Sequence, residues 1–235
     1  LRRQRQMCIR DRHMGNAVLN RAVRPRANDE YLKNIFDIFA PDFEQVLTGL
    51  DYRAPELIRC LLEEIYGSKK SPRLRILDAG CGTGFCGGFL KKYSSFRGLY
   101  GVDISEKMLE QAQAKKVYSH LLQSELEQYF SQAKTKFDLI VSADVFTYFG
   151  SLEKLLSGMA DSLSAGGRVI FTVSENNLND DDYFLHSSGR YLHHQNYVGK
   201  VLEKVGFEVE KLERAKLRNE GENIVYGYVV SALKK

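Results

Sequence analysis

Residues 76–87 read Ile-Leu-Asp-Ala-Gly-Cys-Gly-Thr-Gly-Phe-Cys-Gly. An apolar strand (Leu74, Ile76, Leu77) ends there in a carboxylate, Asp78, and glycines alternate at Gly80, Gly82 and Gly84. Asp103 closes a second apolar run one βαβ unit later. Glycines let backbone approach a ligand closely, and the N-terminus of the helix that follows offers free N–H groups. The stretch therefore reads as the strand-to-helix turn of a nucleotide-type cofactor site.

The pattern of elements around this turn is one of alternation. Tyr31, Ile35, Phe36, Ile38, Phe39, Phe43 and Val46 have helical spacing, broken once at Pro41. Ala54, Leu57, Ile58, Leu61, Leu62, Ile65 and Tyr66 repeat at three and four, which predicts an amphipathic helix. Strands are expected at 74–78 and 98–103, a weaker one at Leu121-Leu122, and two more at 137–141 and 169–173. Helices are expected at 84–93, 105–115, 152–163 and 197–205. Two strands, 207–217 and 224–232, close the chain around a polar spacer. Being so near in sequence they must be antiparallel, because a parallel crossover needs about a dozen residues. The expected fold is α/β: a doubly wound, seven-stranded, mostly parallel sheet with one antiparallel strand, of Rossmann-like type, plus an N-terminal helical cap. Its expected divisions are a disordered basic tail (1–26), the cap (27–70) and the cofactor-binding domain (71–235).

Charge narrows the partners. The formal net charge of +4 comes from the first 26 residues, which hold eight arginines and one aspartate; the rest of the chain is net acidic. A basic face for nucleic acid is not expected. Gln6-Met-Cys-Ile-Arg-Asp-Arg12 resembles the translated end of a transposon adapter used in sequencing libraries, so residues 1–12 are expected to be an artefact. No apolar run approaches a membrane span. The four cysteines (Cys8, Cys60, Cys81, Cys86) show neither metal-ligand spacing nor a disulfide framework, which points to a reducing, cytoplasmic setting and to no bound metal.

The glycine pattern alone leaves the cofactor open. Gly82-x-Gly84-x-x-Gly87 also matches the dinucleotide fingerprint, and Asp103 stands where a ribose ligand would. Charge separates the two readings. A pyrophosphate would meet Asp78 at the mouth of the loop, whereas S-adenosylmethionine brings an ammonium and a sulfonium, which a carboxylate favours. The ligand's own carboxylate is expected on the backbone N–H groups around Gly80 to Gly82.

Asp78-Ala-Gly-Cys-Gly-Thr-Gly84 resembles motif I of the class I S-adenosylmethionine-dependent methyltransferases. Leu99-Tyr-Gly-Val-Asp-Ile-Ser-Glu-Lys-Met-Leu109 resembles their second motif. Phe137-Asp-Leu-Ile-Val-Ser-Ala-Asp-Val-Phe146 and Leu163-Ser-Ala-Gly-Gly-Arg-Val169 resemble the fourth- and fifth-strand motifs, in the right order. Tyr52-Arg-Ala-Pro55, Val145-Phe-Thr-Tyr-Phe-Gly150 and Gly189-Arg-Tyr-Leu-His193 look like predicted methyltransferases that follow tetratricopeptide repeats; this likeness implies a catalytic domain cut from a longer protein with such repeats upstream.

The resemblance implies a site. Asp78, Gly80, Cys81 and Gly82 would hold the methionine end, and Asp103 both ribose hydroxyls. Ile104 and Met108 would pack on adenine, with Glu125 and Leu126 at its amine edge. Ala143, Asp144 and Val145 would line the methionine chain near the methyl group. Asp138 reads as structural. For the acceptor, the segment 185–197 lies at the ligand end of the sheet. His193 or His194 would serve there as base, and Arg190 as a partner for a substrate carboxylate. Tyr31, Phe39 or Tyr52 would either fill core against the sheet or face the pocket from the cap. The fourth-strand motif Ser142-Ala-Asp-Val145 lacks the Asn/Asp-Pro-Pro-Tyr/Phe of amino methyltransferases acting on nucleobases or glutamine. The expected activity is methyl transfer to a small-molecule O- or C-nucleophile. A non-catalytic S-adenosylmethionine-binding module and an NAD-dependent oxidoreductase are the rival readings.

Overall fold

The computed structural model describes residues 25–67 and 72–235. The expectations for residues 1–24 lie outside the described residues.

Seven strands form one sheet in the order β3-β2-β1-β4-β5-β9-β8. They are β1 (Leu74–Ala79), β2 (Ser94–Asp103), β3 (His120–Gln123), β4 (Phe137–Ser142), β5 (Leu163–Ser174), β8 (Phe207–Glu220) and β9 (Asn223–Lys234). β3, β2, β1, β4 and β5 pair in parallel, and β9 is antiparallel to both β5 and β8. This is the expected sheet, and the closing hairpin turns at Gly221, whose positive φ of 60° costs glycine nothing. Strand order reverses between β1 and β4, so the crevice at their carboxyl ends is the natural ligand site.

The near-continuous apolar runs of β1 and β4 are explained by burial on both faces. On one face Leu77, Ile140, Phe171 and Val173 pack with helices α7 (Glu153–Ser162) and α8 (Gln195–Lys204). On the other, Ile76, Leu139, Val141 and Ile170 pack with α3 (Ala54–Tyr66) and α4 (Gly87–Tyr93).

α3 thus belongs to the sheet's own core, and the expected boundary at residue 70 falls too late. The cap proper is α1 (Asp29–Phe39) and α2 (Phe43–Gly49), joined by a single 3₁₀ turn at Ala40–Asp42 that contains Pro41. Asn28 caps α1 by accepting from the Tyr31 amide, worth about 1 kcal/mol. Polar latches hold the cap to the domain, among them a bond from the Gln111 side chain to the Ala40 carbonyl. Asp37 accepts from the Ser105 hydroxyl at 2.6 Å, and Glu44 accepts from the Thr83 hydroxyl at 2.7 Å while pairing with Lys115. Pro25 and Arg26, expected as tail, are bonded to the rest of the chain. The Pro25 carbonyl accepts from Gly150 and Ser151, and Arg26 pairs with Asp29.

Two short pieces escape the sequence pattern. Helix α6 (Leu126–Gln132) is only two turns long. Strands β6 (Tyr183–Leu185) and β7 (Tyr191–His193) form a separate hairpin inside the segment expected as loop. Helix α5 (Glu106–Ala114) lies where its spacing puts it, capped by Ser105.

Candidate functional site

A cavity opens between the carboxyl ends of the strands and the cap. Of the sequence-predicted residues, Gly80, Gly82, Asp103, Ile104, Met108, Glu125, Leu126, Ala143, Asp144, Val145 and Arg190 line it.

Asp103, at the tip of β2, organises the glycine turn. One carboxylate oxygen accepts from the Gly82 amide at 2.8 Å and the other from the Ser105 amide at 2.9 Å. The Ile104 amide acts on the same carboxylate, and the acceptor capacity left over is what a ligand hydroxyl would use. Burial pushes its pKa up to about 6 against the pull of these backbone donors. Gly80 has φ +77°, and a Cβ there would stand 2.3 Å from Val145 Cγ2, so the turn and the loop after β4 close on each other only with glycine.

The amides of Gly80 and Cys81 both donate to the Val102 carbonyl, at 2.8 and 3.0 Å. With Gly82 donating to Asp103, all three are bonded within the protein. The expectation that a ligand carboxylate takes them is therefore corrected: the loop's donors hold the second strand. Cys81 is buried and is not among the residues lining the cavity.

Asp78 also departs from expectation. It is 1% exposed and does not line the cavity; the Tyr118 hydroxyl donates to it at 2.6 Å. Burial, and then the neighbouring Asp103 charge, raise its pKa to about 7 although the Tyr118 bond opposes this. Asp78 thus stands behind the cavity wall and not on it. A raised carboxyl pKa means the folded state holds protons that the unfolded state releases between about pH 4 and 7. The Asp78 contribution to stability is complete below its unfolded pKa and is lost as pH rises through about 7. Asp78→Asn is therefore expected to gain stability over the parent across that interval, on the order of 4 kcal/mol by pH 8. Urea unfolding without cofactor at pH 4.5 and pH 8 measures it; equal differences at the two pH values refute it.

Glu125 caps α6, accepting from the Glu127 and Gln128 amides at 3.0 and 2.8 Å, with Arg26 3.5 Å away. Its carboxylate is turned into the helix end, so an adenine amine meets only what lone pairs the cap leaves. Met108 is both fully buried core and cavity wall. Asp138 accepts from the Arg75 amide at 2.8 Å, at the far end of the sheet.

The histidines are not at the site. His193 is fully buried outside the cavity wall, and its Nε2 contacts the Phe149 and Gly150 carbonyls at 2.8 and 3.1 Å. Two acceptors there assign the proton to Nε2. Burial pushes the pKa down to about 4, so the ring is neutral and joins β7 to the loop after β4. His194 caps α8 through the Asn196 amide. Neither is placed to take a proton from a ligand in the cavity.

Arg190 is placed at the site. It follows the β6–β7 turn, lines the cavity and pairs with Glu220, while Tyr148 shares a hydrogen bond with it. Glu220 also accepts from Arg218 Nε at 2.9 Å, and Arg218 Nη1 reaches both oxygens of Asp144 at 3.0 Å. Arg218 is 2% exposed. Asp144 has a positive φ of 57°, and its amide donates to Thr172 Oγ1. Two cations and two anions thus run from the end of β8 to the cavity wall. This network was not read from sequence, because Arg218 and Glu220 stand in a polar spacer.

From the cap, Leu32, Phe36, Phe43, Leu47 and Tyr52 face the cavity. Tyr31 packs instead with Ala27 and Leu32, and Phe39 is half exposed, so of the three expected aromatics only Tyr52 lines it.

Residues 77–171 match the family model described as a methyltransferase domain. Human methyltransferase-like protein 27 is 43% identical over 89 residues, covering 37% of this chain and 35% of that protein. A malonyl-[acyl-carrier protein] O-methyltransferase of Brevibacillus brevis is 35% identical over 104 residues, covering 42% and 37%. The matched stretch thus spans little more than a third of either relative. Magnesium protoporphyrin IX methyltransferase from Synechocystis, solved with bound SAM, superposes with a TM-score of 0.59 at 20% identity, covering 77% of this chain and 79% of that one. A TehB-like SAM-dependent methyltransferase from Corynebacterium glutamicum gives 0.57 at 23% identity, covering 84% and 99%.

Proposed function

We propose, from the premise that residues 77–171 form a class I S-adenosylmethionine-dependent methyltransferase domain, that this chain transfers a methyl group to an oxygen or carbon nucleophile of a small molecule. The observation behind this reading is the single cavity that joins Asp103 to an acceptor end walled by Arg190, Tyr148 and Tyr52. The cofactor supplies an activated methyl group on a sulfonium. Asp103 would hold its ribose, Ile104, Met108 and Leu126 its adenine, and Gly80, Ala143 and Asp144 its methionine chain.

The protein's part is alignment and exclusion of water. Orienting two reactants can lower a barrier by roughly 7–11 kcal/mol. The apolar cap residues Leu32, Phe36, Phe43 and Leu47 roof the cavity for this purpose. A dinucleotide reading is disfavoured because the Gly80, Cys81 and Gly82 amides are bonded to Val102 and Asp103 and are not offered to a pyrophosphate.

Calorimetry with S-adenosylmethionine, S-adenosylhomocysteine and NAD is the test. Micromolar binding of the first two and none of NAD is the expected outcome. Binding of NAD alone removes the reading, and binding of S-adenosylhomocysteine without turnover of any acceptor supports the non-catalytic module. The likeness to enzymes that follow tetratricopeptide repeats stays a proposal about the chain's setting.

A further inference from the structure

We infer that the methyl acceptor is a carboxylate, held by Arg190 at the cap end of the cavity and methylated on oxygen without a general base. This rests on the methyltransferase reading above.

The first ground is the state of the groups that could act as bases. Among the residues lining the cavity, Asp103 accepts from two backbone amides, Glu125 accepts from two more, and Asp144 is paired with Arg218. No histidine or lysine lines it. A hydroxyl or carbon acid would need one of these groups to take its proton. A carboxylic acid has lost its proton in water at neutral pH and needs none.

The second ground is charge. The two cations on the wall differ in their surroundings. Arg26 stands among Asp29, Glu125 and Glu127. Arg190 hydrogen-bonds one carboxylate, Glu220, which also accepts from Arg218, while Asp144, itself paired with Arg218, acts on its charge. A guanidinium has five N–H donors in a planar fork. Glu220 and Tyr148 engage part of that fork and fix its direction, leaving donors for a second carboxylate. An anionic acceptor also answers the sulfonium charge across a cavity of low dielectric, where such attraction is stronger than in water.

The step balances simply. A carboxylate oxygen forms a bond to the methyl carbon as the methyl–sulfur bond breaks. The sulfur keeps the electron pair and becomes a neutral thioether, the acceptor becomes a methyl ester, and no proton moves.

The test uses methyl-labelled S-adenosylmethionine and a panel of straight-chain and aromatic mono- and dicarboxylic acids, each beside the alcohol of the same skeleton. Label is expected in acids and not in alcohols, and the products should release methanol in mild alkali, as esters do and ethers do not. Arg190→Gln should raise KM for the best acid at least about tenfold, with S-adenosylhomocysteine affinity held within about twofold; Arg190→Lys should recover part of the loss. Labelled alcohols, or alkali-stable products, overturn the proposal. So does intact cofactor binding with no acid methylated, or an Arg190→Gln variant that loses cofactor affinity and keeps its KM. Absence of cofactor binding in the parent protein fails the underlying reading instead.

Discussion

Asp103→Ala is expected to lower affinity for S-adenosylhomocysteine on the order of a hundredfold. The carboxylate does two things at once. It would accept two ribose hydroxyls, and it already fixes the Gly82 and Ser105 amides from its two oxygens. Hydrogen bonds to a charged acceptor are worth about 1.5–3 kcal/mol each, so losing the ribose pair alone accounts for two decades or more. Alanine also frees the glycine turn, which adds an ordering cost to binding. Asp103→Asn keeps one acceptor oxygen and turns an NH₂ group toward one of the two amides, so its loss should be intermediate. Because the carboxyl is pushed up to about 6 by burial, cofactor affinity of the parent protein should also fall as pH drops below about 6, where one ligand-facing oxygen acquires a proton. Calorimetry across pH 5–8 measures both effects, and wild-type affinity in Asp103→Ala refutes the assignment.

Arg218→Leu is expected to be the most destabilising single change in the network at the end of β8. The guanidinium is 2% exposed and touches Asp144 through Nη1 and Glu220 through Nε. Removing one member of a buried charge network leaves its partners uncompensated and costs about 3–5 kcal/mol. For a chain of this length that lowers Tm by roughly 10 °C. The cavity should feel it as well, since Asp144 sits in a left-handed conformation secured by its amide bond to Thr172 and its pairing with Arg218. Adding Asp144→Asn to the same chain should return part of the stability, because asparagine tolerates positive φ and carries no charge to strand. Thermal unfolding of the single and double variants reads this coupling. Additive losses would mean that Asp144 and Arg218 do not interact.

Particular residues show how much of the site was legible in sequence. Gly80, Gly82, Asp103, Ile104 and Met108 lie in two contiguous motifs, each a strand tip running into its own helix. A motif whose parts are a few residues apart keeps its geometry wherever the chain goes. Asp78 shows the limit of that logic. Its place at the strand end was clear, but whether its carboxylate points into the cavity depends on Tyr118, forty residues later, whose hydroxyl donates to it. His193 and His194 failed for the same reason. Their segment does reach the ligand end of the sheet, yet one ring turns inward to two carbonyls and the other caps a helix. Arg190, between two short strands of the same hairpin, does face the cavity.

Local order of residues thus settles the parallel sheet and the closing hairpin and marks the proposed cofactor end, since periodicity and a glycine turn are written within single segments. The acceptor end belongs to tertiary structure. Phe36 from the cap, Tyr52 after it, Tyr148 after β4 and Arg190 from the β6–β7 hairpin line one cavity, with Arg218 from the penultimate strand behind Asp144, only because the sheet order brings β8 beyond β5 and the cap is latched to Thr83 and Ser105. A buried arginine in a polar spacer looks like a solvated turn until its carboxylates arrive from elsewhere in the chain, and it is their arrival that makes its burial affordable.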